Sequence, residues 1–303
     1  MVFIRSKKKG NTYYYELVES IRMGGKVTQK VLRYFSNSAE AREYAEKYGI
    51  GSFKENEWMD KPLKRILENK LKQLNSMRPL PKSVLQRMRD KFEVDMTYNS
   101  NAIEGNRLTL RETWLVLRKG MTIRGKSMKE HLEATNHVEA IEQLEKIVDS
   151  KIDVREADVL NLHAIILDKI EPQNAGFYRH EQVYIEGSTV QLARWKEVPH
   201  LMQEVYHELN NKDPGIKAIY SAVKVHHRTV KIHPFVDGNG RLARLLMNLR
   251  LMRSGFPPTI LRKEERRAYY SALEKADAGD FRALTMLIGK DIENALDLYL
   301  ECG

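Results

Sequence analysis

Residues 232–246 read IHPFVDGNGRLARLL, and the rest of the chain is best read outward from this stretch. A histidine and a proline are followed by Asp237, by Gly238-Asn239-Gly240, and by Arg241 and Arg244 at the head of an apolar run. A helix starting at those glycines would aim unpaired backbone N–H groups, and the positive end of its dipole, at its N-terminal side. Glycine lets an anion approach the backbone closely. Arg241 and Arg244 stand at i and i+3, so they share a helix face. Arginine there opposes the dipole, and two arginines make sense where an anion lies between them. Asp237 has the hard oxygen chemistry that holds Mg2+. His233, on the loop, is the residue type that serves as general base near neutral pH. Any one of these residues suits an ordinary interhelical loop with surface arginines; their conjunction points to phosphate chemistry. No GK[ST] follows the glycines and no strand pattern leads in, which separates the stretch from a Walker A loop.

The surrounding 303 residues are 42% hydrophobic and 30% charged, the composition of a globular protein able to bury a core. One cysteine, Cys302, excludes a disulfide framework and predicts a reducing, cytoplasmic setting. No run of about 18 apolar residues predicts a membrane span, and the charges of MVFIRSKKKGNTYYYEL follow its apolar residues, the reverse of a secretion signal. The net charge of +10 is uneven. Residues 1–100 carry 21 Lys/Arg against 12 Asp/Glu, and the remainder carries 30 against 29. That leaves two readings of the first third: a solvated basic surface, or a contact for nucleic acid or an acidic protein.

The first 36 residues read as strand, with Gly24-Gly25 as a hairpin turn between two β-rich runs. From Ser38, taken as a cap, the pattern turns helical and stops at Gly49. TLRETWLVLRKG has Thr109 as cap, Glu112 three residues on and Gly120 as stop. KEHLEATNHVEAIEQLEKIV and READVLNLHAIILDKI carry apolar residues at helical spacing. The exception is GFYRHEQVYIEGSTVQ, residues 176–191, where alternation predicts a short hairpin. His163 falls on an apolar helical face and reads as core. His226, His227 and His233 lack a ligand cluster at metal spacing.

His233, Pro234, Phe235, Asp237, Gly238, Asn239, Gly240, Arg241 and Arg244 occupy every fixed position of HPFx[DE]GNGRxxR, and in this the chain resembles the Fic domain family. The similarity runs from about Thr97 to about Ile288. It implies a mainly α fold: a Fic-type helical domain with a short β-hairpin flap, preceded by a small N-terminal β module. The expected organisation is a basic β-hairpin module over 1–52, a helical connection over 53–95, the Fic domain over 96–290 and a helical tail over 291–303.

The resemblance further implies transfer of AMP from ATP to a Ser, Thr or Tyr hydroxyl of a target protein, and of the enzyme itself. His233 would be the base and Asp237 the Mg2+ ligand. Gly238, Asn239 and Gly240 would cradle the phosphates, and Arg241 and Arg244 would hold the β/γ end. SNAIEGN, from Ser100 to Asn106, matches the family's inhibitory pattern [ST]xxxE[GN]. It implies that Glu104, with Ser100, pairs with Arg244 and takes the γ-phosphate's space. In some relatives the same glutamate supports removal of AMP. The flap would place Val183, Tyr184 and Ile185 against an extended target segment, and Tyr269 and Tyr270 would stand at the adenine side. Relatives often form homodimers. Two alternatives stay open: a Fic enzyme transferring another phosphate-containing group, and a nucleic-acid-binding regulator using the basic N-terminal module. The target protein is not legible.

Overall fold

The structure is a computed structural model, and it describes residues 2–9, 12–23, 26–48, 50, 58–184 and 191–302. The chain divides into two compact units, residues 1–61 with 268–286, and residues 62–267 with 287–303.

In the first unit, β1 (Val2–Lys9), β2 (Thr12–Met23) and β3 (Lys26–Phe35) form an antiparallel sheet in the order β1-β2-β3. Ile4 pairs with Leu17 and Tyr15 with Phe35, and a bulge falls between Leu17 and Val18. Alternation puts Tyr15 and Leu17 on one face. There they join Ile4, Phe35, and Ala41 and Ala45 of α1 (Ser38–Lys47) in a small core. The β-rich start is thus three strands rather than two, because residues 2–9 pair as a strand of their own. Gly24 and Gly25 lie outside the described residues. The cap of α1 is Asn37 rather than Ser38: its Oδ1 accepts the Glu40 N–H at 2.9 Å, the reach an N-cap needs.

The second unit is helical. It contains α2 (Lys61–Met77), α3 (Lys82–Ile103), α4 (Leu110–Lys119), α5 (Met128–Ser150), α6 (Glu156–Ile166), α7 (Val198–Asn210), α8 (Lys217–Ile232) and α9 (Asn239–Met252). Two further helices, α10 (Arg266–Asp277) and α11 (Arg282–Cys302), complete the chain. The Thr109/Glu112 capping box forms at α4, which ends on Gly120 at φ 62°, and a second box, Ser127 with Glu130, starts α5. The apolar stripes of α5, α6, α7 and α8 converge on α9, where Leu242, Leu245, Leu246 and Leu249 are fully buried. A helix covered on all sides leaves its polar residues no water, so Arg241, Arg244, Asn248 and Arg250 are buried with it. Among the described residues no helix is long and apolar enough to cross a membrane.

The hairpin expected over 176–191 is not seen among the described residues: 177–184 carry no strand, and 185–190, including Ile185, lie outside them. Among the described residues of this segment, the buried Arg179 guanidinium donates to the carbonyls of Glu181, Ala193 and His233.

Candidate functional site

The 233–238 loop joins α8 to α9 and is held from four directions. His233 ends α8 in the left-handed region, at φ 51°. The Arg179 N–H donates to Pro234 O at 3.0 Å, and its Nε to His233 O at 2.8 Å. Phe235 is fully buried and stacks on the His163 ring, centroids 3.6 Å apart. His163 accepts the Gly176 N–H at Nδ1, 3.0 Å, so its proton sits on Nε2 and is donated to Asp237 O at 2.9 Å. The Asn239 side chain accepts from Phe235 N–H and donates to Phe235 O, both at 2.9 Å. The Asn239 amide is thus spent on the loop. Its offer to a phosphate is the backbone N–H, in a first helical turn whose N–H groups have no helical acceptor.

His233 is mostly buried, and burial pulls its pKa below the ordinary value, so the ring is neutral at pH 7. Nδ1 lies 3.3 Å from Val230 O. A carbonyl can only accept, which puts the proton on Nδ1 and leaves the Nε2 lone pair to take one. Burial opposes ionisation of Asp237, but Arg241, the Gly238 N–H and Lys129 outweigh it and hold the carboxyl below its usual range. Asp237 Oδ1 accepts from Gly238 N–H at 2.6 Å, and Oδ2 lies 3.3 Å from Arg241 Nη2 and 3.8 Å from Lys129 Nζ.

Both arginines are 2% exposed. Arg244 donates from Nε to Ser100 Oγ at 2.9 Å, and from Nη2 to Ser100 O at 2.9 Å and Glu104 Oε1 at 2.7 Å. Glu104 is the C-cap of α3, so the whole helix delivers it. Gly240 makes room: a Cβ there would stand 2.2 Å from Glu104 Oε1. Arg241 reaches Asp237 and, at 3.7 Å, Glu133, while its Nε and Nη1 make no hydrogen bond among the described residues. Buried donors in that state, above the open first turn of α9, suit an anionic occupant such as a polyphosphate. Asp237 suits Mg2+: it is ionised, its side chain is partly open to solvent, and this ion keeps waters and phosphate oxygens beside one or two carboxylates.

Two residues of this site escaped the sequence reading. His163 is core, as expected, but it also pins the loop. His137 is fully buried with its Nδ1 3.1 Å from Thr97 Oγ1. Burial, then the fields of Arg244 and Arg241, lower its pKa to about 3. The only signal for either was a polar residue at an apolar helix position. Val183 is half-buried, and Tyr184 is 86% exposed. Tyr269 and Tyr270 lie on α10 within the first unit, one buried and one exposed, their rings 5.3 Å apart.

Comparison with known proteins adds to this geometry. Residues 153–251 match the model of the Fic/DOC family. The protein adenylyltransferase Fic of Drosophila virilis is 37% identical over 219 residues, 72% of this chain and 45% of the relative. That of Drosophila melanogaster is 36% identical over 240 residues, 77% and 48% of the two. The chain therefore spans about half the length of these curated relatives. Among solved structures, Fic-1 (residues 134–508) from C. elegans is 33% identical with a TM-score of 0.71, covering 79% of this chain and 72% of that one. A Fic domain containing signaling protein from Bacteroides thetaiotaomicron is 26% identical with a TM-score of 0.71, covering 78% and 96%.

Proposed function

We propose, since this chain belongs to the Fic/DOC family, that it is a protein adenylyltransferase held in check by Glu104. The observation that carries the reading is the neutral His233, its proton on Nδ1, followed closely by Asp237 and the buried pair Arg241 and Arg244. Nε2 takes the proton of a Ser, Thr or Tyr hydroxyl as that oxygen bonds to the α-phosphorus of ATP. The bond from the α-phosphorus to the bridging oxygen breaks, and pyrophosphate leaves. Arg241 and Arg244 hold the β/γ end, and the N–H groups of the first turn of α9 hold phosphate oxygens as charge moves onto them. Asp237 is the residue that would hold Mg2+, which neutralises phosphate charge when bound.

In the resting arrangement Glu104 competes for the guanidinium that ATP needs, so the Arg244–Glu104 contact reads as the brake. Ser100 keeps Arg244 in place for either partner. Removal of AMP by the same site would start from the modified protein: water bonds to the phosphorus of the AMP ester, the bond to the side-chain oxygen breaks, and AMP leaves the regenerated hydroxyl. Val183, Tyr184 and Ile185 are assigned to the target segment, Tyr269 and Tyr270 to the adenine side, and self-modification and a homodimer follow the family. A single cysteine, Cys302, agrees with a cytoplasmic setting.

The test is labelling of the Glu104→Gly protein with a panel of nucleotides and Mg2+, read by intact mass. An added AMP from ATP supports the reading. Labelling by UTP or by a phosphocholine donor instead would reassign the transferred group, and no adduct from any donor would overturn it.

A further inference from the structure

The helical unit holds a cavity of about 510 Å3 bounded by α3, the 258–264 segment and α11. No residue of 233–244 lines it. Its size is that of a small-molecule site. Asp291 of α11 forms part of the wall, is 5% exposed, and leaves Oδ2 buried with no hydrogen-bond partner among the described residues. Native proteins leave few buried polar atoms in that condition, and Asp291 is one of the residues of this wall. Burial, reinforced by Glu265 and opposed by Arg262, pushes the Asp291 carboxyl up to about 8.

The sign of that ligand follows from the wall. It carries two cations, Lys91 and Arg262, and three acids, Asp95, Glu264 and Asp291. Lys91 is already paired with Asp95 at 2.9 Å, so an ionised Asp291 leaves one negative charge in excess. Phe92 and Tyr299 add apolar and aromatic surface suited to the body of an organic molecule and to a cation beside it. An anion brings no donor to the Asp291 carboxyl, whereas an ammonium brings both a donor and the charge that balances its ionised form.

We propose that this cavity binds a small organic cation, an ammonium group on an apolar body, whose N–H donates to the Asp291 carboxylate. Binding ionises Asp291 and so displaces its proton. The other titratable groups facing Asp291 are Lys91, Asp95 and Tyr98 of α3, Arg262, Glu264 and Glu265, and Tyr299 on its own helix.

The experiment is calorimetric titration of the full chain with phenethylamine, and with 2-phenylethanol as the uncharged isostere, in buffers of different ionisation enthalpy. The amine should bind with release of close to one proton at pH 7. Its affinity should rise about tenfold between pH 6 and pH 7 and level off above pH 8. The alcohol should bind at least roughly tenfold more weakly. Asp291→Asn should lose amine binding with its melting transition intact. Met88→Trp, which adds bulk to the wall from α3 rather than from the helix that carries Asp291, should lose it too and carries the test if the asparagine variant melts early. The proposal is overturned if the amine fails to bind wild type, if either variant binds it equally, or if the alcohol binds as tightly.

Discussion

Arg241 and Asp291 are both almost fully buried in the helical unit, both with polar atoms that no neighbour among the described residues satisfies, yet they answer burial in opposite ways. A guanidinium stays charged in a protein, so its burial has to be met by opposite charge. Arg241 has Asp237 and Glu133 beside it, and α9 is built so that a phosphate can add to them. A carboxyl can take up a proton instead, and Asp291 does so as its pKa rises to about 8. The difference teaches that a buried orphan atom names its ligand only once its ability to discharge itself is known. The arginine site calls for an anion at every pH, whereas the aspartate site calls for a cation at the expense of one proton.

The largest effect expected on the arginine side is loss of the base. In the Glu104→Gly background, His233→Ala should reduce AMP labelling by about 100- to 10,000-fold; equal labelling, read by intact mass, would remove His233 from the mechanism. Next comes the brake. Removing the carboxylate from Arg244 frees a charge-assisted bond of about 1.5–3 kcal/mol. Glu104→Gly should therefore tighten ATP binding by roughly 10- to 150-fold, measurable by competition with a fluorescent nucleotide. If its affinity matches wild type, the 2.7 Å contact does not compete with ATP.

The two signs of burial also separate in stability. His137 and His226 are held neutral with pKa near 3, and His163 near 4, all mainly by burial. Between those values and the ordinary 6.5 the unfolded chain binds the extra protons. Stability should fall as pH drops through that window, by at most about 1.4 kcal/mol per pH unit for each ring. Asp291 runs the other way. Its folded pKa is raised from 3.8, so the folded chain holds the extra proton, and its contribution is lost as pH rises from 3.8 towards 8. Asp291→Asn should gain stability over wild type across that window, on the order of 1–3 kcal/mol near pH 8. Urea melts at pH 4, 6 and 8 check both trends, and a gain that shrinks with rising pH would contradict this assignment.

The smallest effect isolates the loop's support. His163→Phe keeps an aromatic ring against Phe235 but leaves the Gly176 N–H and Asp237 O without their partner. It should cost about 1–3 kcal/mol of stability and slow labelling through misplacement of Asp237. A variant with wild-type labelling would show that the stack alone positions the loop.

Much of the frame was legible because it rests on local chemistry. Thr109 with Glu112, Gly120 as a stop, and the apolar periodicity of α5 and α6 each act within a few residues, and each formed as read. The capping residue of α1 was misread by one position because Asn37 and Ser38 are both good caps and only the geometry at Glu40 separates them. The hairpin at 176–191 was read from alternation, and its residues 185–190 lie outside the described ones. His137 and His163 escaped as site residues because their partners lie 40 and 74 residues away. Asp291 gave no signal at all, since an aspartate in a helix is ordinarily solvated.

By itself the sequence determined the chemistry and the backbone of the 233–244 loop. Glycine is the residue that takes φ 78° at Gly238 without strain, and a histidine, an aspartate and two arginines carry their reactivity with them. Tertiary structure decided which of those groups lose water and whom they meet. Glu104 and Arg244 are 140 residues apart, and residue types alone could not pair them; the family resemblance suggested the meeting and the packing of α3 against α9 makes it. The physical reason is one of range. Caps, turns and glycine conformations are settled by neighbours in the chain, whereas desolvation, which sets both the readiness of His233 and the charge of Asp291, depends on every element folded over them.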